Sequence, residues 1–213
     1  MDDVGKRRGG TSNNDPSRKG HGGDADDVWA RRFMAAAIVQ GAGVAGLTIF
    51  LVLGQISIIK PEVSRVIAGG GAGTWFTFGY MIYIVVGVIG VAVSSLFYHY
   101  LGVRHDDNGF RRGANALAWT HLILMNAGVT VAAALLMLAG YQGGAAMLSP
   151  DVGGRGLDAG QAHEIIAPYV EPIAVSILVL LAGVIAGGAG FLLAYRRQNT
   201  LIWSETSKDS EAA

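Results

Sequence analysis

Four long apolar runs separated by short polar connections constrain this chain more than any other feature. The runs cover 33–59, 66–98, 113–150 and 172–195, and His121 is the only histidine or charged side chain within them. Each run reaches the roughly 20 residues that a helix needs to cross the hydrocarbon core of a bilayer. The sequence therefore predicts an all-α, polytopic membrane protein with four transmembrane helices.

The segments between and beyond these runs set the domain organisation. We expect helices at about 31–58, 74–100, 114–141 and 171–196, inside a membrane domain of residues 29–198. Residues 1–28 are rich in Gly, Asp and Ser and bury too little apolar surface to offset the entropy of ordering, which predicts a disordered tail. Residues 199–213 are predicted to be a C-terminal tail. In the long connection 142–170, "DAGQAHEIIAPYV" predicts a short amphipathic helix on the membrane surface.

Lysine and arginine are distributed unevenly over the connections. The N-terminal segment through Arg31 and Arg32 has seven, the turn between helices two and three has three, and the C-terminal end has three. The other side has only Lys60, Arg65 and Arg155. By the positive-inside rule both termini face the cytoplasm. We therefore expect a multi-pass protein of the plasma membrane, with the lipid bilayer as its first partner.

Composition and motifs exclude several classes of function. The net charge is zero, so no basic excess indicates nucleic acid as a partner, and the chain has no cysteine for thiolate-bound metals. The sequence contains no G-x-x-x-x-G-K-[ST] phosphate loop, no G-x-S-x-G elbow and no H-E-x-x-H zinc motif. We therefore predict no catalytic residue and no metal ligand. The 32 glycines, including Gly183 and Gly187, predict close helix contacts within the chain or with another subunit.

The histidines are the remaining candidates for a cofactor site. His121 should lie about 10 Å into helix three, and His99 at the cytoplasmic end of helix two, about 8–10 Å away in depth. That separation is too long for one metal ion, so the sequence favours a buried, hydrogen-bonding His121 with Asn126 or a neighbouring subunit as its partner. The alternative is that His121 and His99 bind haem b as axial ligands. Other polar residues are predicted to form interhelical hydrogen bonds: Gln40, Gln55, Asn115, Asn126 and Thr130.

The order of several sequence features resembles the last helices of the haem–copper oxidase catalytic subunit, in the branch shared by nitric-oxide-reductase-like and cytochrome-c-oxidising enzymes. The likeness rests on "FTFGYMIYIVVGVIGVAVSSLFYHYLG", "LAWTHLILMNAGV", "MLAGYQGGAAM" and "APYVEPIAVSILVLLAGVIAGGAGFLLAYRRQ", and covers about 74–198. Where the family has a pair of haem-binding histidines, this chain reads "AGGGAGTWF". The helices that bear the family's other haem and copper ligands have no counterpart here.

This resemblance implies an oxidase-like arrangement of helices without the redox centre. The expected function is a non-catalytic integral membrane subunit of a respiratory or other oxygen-using complex, with other membrane subunits as partners. Only His121 matches a family histidine, and that histidine is not a metal ligand in the family. Two alternatives remain: a small b-type haem protein that transfers electrons through His121, and an oligomeric transporter or channel for a small solute.

Overall fold

The computed structural model describes residues 28–101 and 108–211, with the side chains of 28–56, 58–101 and 113–196. Within these residues the chain is helical and contains no strand. The helices are α1 Val28–Leu53, α2 Val63–Ala68, α3 Thr74–Ile82, α4 Val91–Leu101, α5 Asn108–Met147 and α6 Ala159–Glu211. A π-helical turn, Gly54–Ile58, extends α1, and a longer π-helical segment, Tyr83–Gly90, joins α3 to α4.

Four segments of the described chain are long and apolar enough to cross a membrane, as predicted. They are span 1 Val28–Ile56, span 2 Gly71–Leu101, span 3 Gly113–Met147 and span 4 Ala159–Arg196. In the most apolar window of span 3, 39% of the residues are buried, against 11%, 22% and 17% in spans 1, 2 and 4. Span 3 is therefore the central helix, and the other three spans pack around it.

Glycines let span 3 approach spans 2 and 4 at backbone distance. A Cβ added to any of seven glycines would lie closer than 3.0 Å to an atom of the neighbouring span: Gly79, Gly128, Gly140, Gly143, Gly144, Gly183 and Gly187. Since membrane helices associate largely through van der Waals packing, such close crossings hold the bundle together. The expected close packing at Gly183 and Gly187 is confirmed.

The connection before span 4 differs from the prediction. Helix α6 begins at Ala159 rather than at about 171, so the helix expected within 142–170 is the first part of α6 and not a separate element. A capping box fixes the start: Gln161 N donates to Asp158 Oδ1 (2.9 Å), and Asp158 N donates to Gln161 Oε1 (3.2 Å). Pro168 and Pro172 then lie inside the helix, as membrane helices tolerate.

The predicted end segments are described only in part. Residues 1–27 of the expected N-terminal tail and residues 102–107 of the expected cytoplasmic turn lie outside the described residues. The backbone of α6 remains helical through Glu211, and so through most of the segment 199–213 that was expected to be a tail.

Candidate functional site

His121 of span 3 lies where all four spans converge. Its side chain is 3% exposed, and Phe33 of span 1 is fully buried against it, with ring centroids 4.8 Å apart. Tyr98 of span 2 and Phe191 of span 4 complete the enclosure, at centroid distances of 6.0 and 5.7 Å. We call these four rings the aromatic centre. One ring from each span meets here, so this contact joins all four helices.

The imidazole of His121 is held from two directions. Its Nδ1 lies 3.3 Å from Tyr98 Oη, in a hydrogen bond whose donor depends on the histidine tautomer. The backbone of span 4 approaches the same edge of the ring, because a Cβ at Gly187 would overlap Nδ1 and Cε1. The expectation that Asn126 is the partner of His121 is therefore wrong.

Asn126 belongs instead to a second polar cluster, one to two turns further along span 3. Gln40 of span 1 donates through Nε2 to Asn126 Oδ1 (3.1 Å) and to Thr130 Oγ1 (3.0 Å). Asn126 Nδ2 donates to the Leu122 carbonyl (2.7 Å), so its amide is oriented by its own helix. This cluster ties spans 1 and 3 together by neutral hydrogen bonds and confirms three predicted interhelical residues.

A third contact lies nearer the start of spans 1 and 3. Trp29 Nε1 donates to Asn115 Oδ1 (2.9 Å), which confirms Asn115 as an interhelical partner. The guanidinium of Arg32 lies over the rings of Trp29 and Trp119, 4.7 and 4.8 Å from their centroids. Gln55 differs from these, because it accepts a bond from Ser64 of the short helix α2 (2.6 Å) rather than from another span.

His99 does not join His121. It lies on an exposed face at the end of α4, while the rings around His121 are those of Phe33, Tyr98 and Phe191. Among the residues with described side chains, no group of three or more His, Asp or Glu is placed to hold a metal ion. The same part of the chain contains no fully buried polar side-chain atom without a hydrogen-bond partner. The arrangement positions helices through packed rings and satisfied neutral bonds.

Comparisons with protein-family models, with curated proteins and with solved structures found nothing that matches this chain.

Proposed function

We propose that this chain is a non-catalytic integral membrane subunit that packs against other membrane subunits of a larger complex. The observation that carries the proposal is a small-residue face on span 1 that none of the described residues covers. The resemblance of 74–198 to the closing helices of haem–copper oxidases supports a respiratory or other oxygen-using complex as its setting. Fold-level resemblance is analogy, so the composition of the complex is the first thing to measure.

The open face consists of Ala42 and Gly46, which are exposed and separated by one helical turn. A Cβ at Gly46 would meet nothing within 4 Å, whereas the glycines at the internal crossings would collide with a neighbouring span. A small-xxx-small pair lets a second membrane helix approach closely. Because this pair has no partner among the described residues, a helix of another subunit is the partner that it fits.

The surroundings of His121 favour a packing role over ligation of haem. Nδ1 is bonded to Tyr98, and three aromatic rings and the Gly187 backbone enclose the imidazole. A histidine that binds haem needs a flat open space beside its ring, large enough for the macrocycle. The ring of His121 instead packs against side chains or backbone of the other three spans. We therefore assign any haem of the complex to the partner subunits.

The charge distribution supports a plasma-membrane topology with both termini in the cytoplasm. Lys60, Arg65 and Arg155 are the only three of 16 basic residues in the two connections of the opposite side. The chain has no native cysteine, so single cysteines at positions 62 and 151 can be labelled without background. A membrane-impermeant maleimide should label both in intact cells, and labelling only after lysis would overturn this topology.

The experiment that tests the function is gentle extraction of the tagged full chain, followed by subunit analysis and a visible spectrum, oxidised and reduced. Gly46→Leu should strip partner subunits from the complex, because a large side chain blocks close helix approach. Gly188→Leu is the matched control. Gly188 is also exposed, and a Cβ there would meet nothing within 4 Å. Because the bulky Val184 and Leu192 lie one turn away on either side, Gly188 belongs to no small-xxx-small pair, and its replacement should leave the partner subunits bound.

Three results would contradict the proposal. The first is a wild-type chain that purifies alone as a monomer. The second is an unchanged set of partners in Gly46→Leu. The third concerns haem: a complex that stays intact but loses its haem absorbance in His121→Phe would establish the electron-transfer alternative, because the ring packing is kept while the ligating nitrogens are removed.

A further inference from the structure

An apolar groove opens on the outside of the bundle between spans 1 and 3. Its volume is about 440 Å³, within the range of small-molecule sites. Span 1 contributes Leu47, Phe50 and Leu51, and Ala134 and Leu138 line it from span 3. Phe50 and Leu138 are more than half exposed, so the groove faces the surrounding bilayer.

A second cavity, of polar character, adjoins the end of this groove. Its volume is about 280 Å³, and it is lined by Lys60 and Arg155 together with Gln142. Tyr141 lines both cavities and fixes their junction, because its hydroxyl donates to the Pro61 carbonyl (3.0 Å). The apolar groove and the basic cavity therefore adjoin at Tyr141, and we call the two together the groove–pocket surface.

The charge of the pocket differs from that of its surroundings. The two connections at this end carry three basic residues and several carboxylates, and Arg65 is paired with Glu62 (2.9 Å). The other two basic residues, Lys60 and Arg155, both line the polar cavity, and no carboxylate does. Among the described side chains neither forms a salt bridge. A local positive site thus lies on an otherwise acidic face.

Backbone hydrogen bonds fix the loop that carries Arg155 into this site. Gly156 N and Leu157 N donate to the carbonyls of Leu148 and Ala146 (2.7 and 2.9 Å), which folds the loop back onto the end of span 3. Gly153 has a φ of +90°, a conformation that residues other than glycine rarely adopt. It packs against Lys60 and Pro61. This fold brings Arg155 to the same cavity as Lys60.

We propose that the groove–pocket surface binds one anionic phospholipid. An acyl chain lies in the groove between spans 1 and 3, and the phosphate lies between Lys60 and Arg155. Juxtaposed basic and apolar surfaces at the membrane boundary match the two ends of such a lipid. The inference depends on the membrane location of the spans and not on the proposed partner subunits, so either proposal can fail without the other.

The test is native mass spectrometry of the purified full chain in detergent with equal amounts of dioleoyl phosphatidylglycerol and dioleoyl phosphatidylcholine. The wild-type chain should retain phosphatidylglycerol at least fivefold over phosphatidylcholine, since each basic side chain near an anionic lipid contributes about that factor. Lys60→Gln combined with Arg155→Gln should bring the ratio close to one. Arg65→Gln is the matched control, because Arg65 lies on the same face but lines neither cavity, and it should keep the wild-type ratio.

A second pair of variants tests the groove separately. Ala134→Phe fills the groove and should lower retention of both lipids at least threefold, whereas Val131→Phe, on an exposed part of span 3 outside both cavities, should not. Equal retention of the two lipids by the wild-type chain would overturn the proposal. So would a dimer without bound lipid that Ala134→Phe splits, because the groove would then hold a second copy of the chain. A third result would also overturn it: the chain binds a quinone that Ala134→Phe removes, and the ratio of the two lipids does not change in the Lys60→Gln and Arg155→Gln double variant.

Discussion

Replacing Gly140 by alanine should destabilise the bundle, although the change adds a single methyl group. Gly140 of span 3 packs directly on the backbone of span 2: a Cβ there would lie 2.9 Å from Phe76 Cα and would overlap Phe76 N. Ordinary van der Waals contact requires 3.4–4 Å. Because the obstacle is backbone rather than a flexible side-chain end, the two helices must separate by about 1 Å at the crossing to reach ordinary contact distances.

The cost follows from the contacts that this separation weakens. A radial gap of about 1 Å forfeits about half of each contact energy, which is about 0.1–0.2 kcal/mol for each pair of atoms. For roughly 40 pairs, the contact set of one buried leucine, the loss is about 2–4 kcal/mol. The higher helix propensity of alanine returns at most about 1 kcal/mol. We therefore expect Gly140→Ala to lower the free energy of unfolding by about 1–3 kcal/mol.

Titration of the purified chain with sodium dodecyl sulphate in mixed micelles, followed by circular dichroism, measures this difference. Gly46→Ala is the matched control, since a Cβ there meets nothing within 4 Å and should leave stability unchanged or slightly raised. If Gly140→Ala and Gly46→Ala unfold at the same detergent fraction as the wild type, the close crossing of spans 2 and 3 is refuted.

Three further predictions concern the aromatic centre and the connection before span 4. His121→Ala should lower the free energy of unfolding by about 2–4 kcal/mol, because it opens a cavity among the rings. His121→Phe should lower it by about 1 kcal/mol, chiefly through loss of the hydrogen bond to Tyr98. Equal losses for the two variants in the detergent titration would contradict the packing role. Asp158→Ala removes the capping box and should lower the free energy of unfolding by about 1 kcal/mol. It should also speed amide hydrogen exchange in the first turn of α6, and unchanged exchange rates would contradict the cap. The Ser149 hydroxyl lowers the pKa of exposed Asp151 below its ordinary value of 3.8, with a smaller contribution from a backbone bond. The small stabilisation that ionised Asp151 contributes is therefore present above about pH 4 and is lost as pH falls through the lowered pKa. In a carboxyl-carbon NMR titration, Ser149→Ala should raise the pKa of Asp151. An unchanged pKa would refute the assignment.

The four spans were predictable because the signal for them is physical and local. A helix that crosses a bilayer must satisfy its backbone internally and present about 20 apolar side chains, so length and hydropathy suffice. The polar residues Gln40, Asn126 and Thr130 were predicted as interhelical partners for the same reason, since an amide or hydroxyl inside a span needs a bond. The sequence alone does not reveal which residue faces which, because the relative rotation of two helices depends on packing.

The sequence carries a signal against each of the two wrong predictions. Asn126 lies five residues after His121, and at 100° per residue the two side chains point about 140° apart on one helix, so they do not meet. The start of span 4 was predicted at about 171 because the uncharged apolar run begins at 172. The sequence Asp158-Ala-Gly-Gln161 is a capping-box pattern, and it marks the observed start. At this helix the cap, and not the beginning of the apolar run, coincides with the boundary.

The two surfaces proposed on span 1 are centred on different directions, which allows one set of variants to separate them. Leu47 and Leu51, in the groove, are rotated from Gly46 by about 100° and 140° around the helix, whereas Phe50, where the two surfaces adjoin, is rotated by about 40°. A partner helix on Ala42 and Gly46 does not need to enter the groove, and a lipid chain against Leu47 does not need to touch Gly46. Gly46→Leu should thus strip the partner subunits and keep lipid retention, while Ala134→Phe should keep the partner subunits and lower the retention of both lipids. If each variant abolished both properties in intact, folded protein, span 1 would present a single interface in which the lipid itself bridges the subunits, and the assignment of two independent surfaces would be wrong.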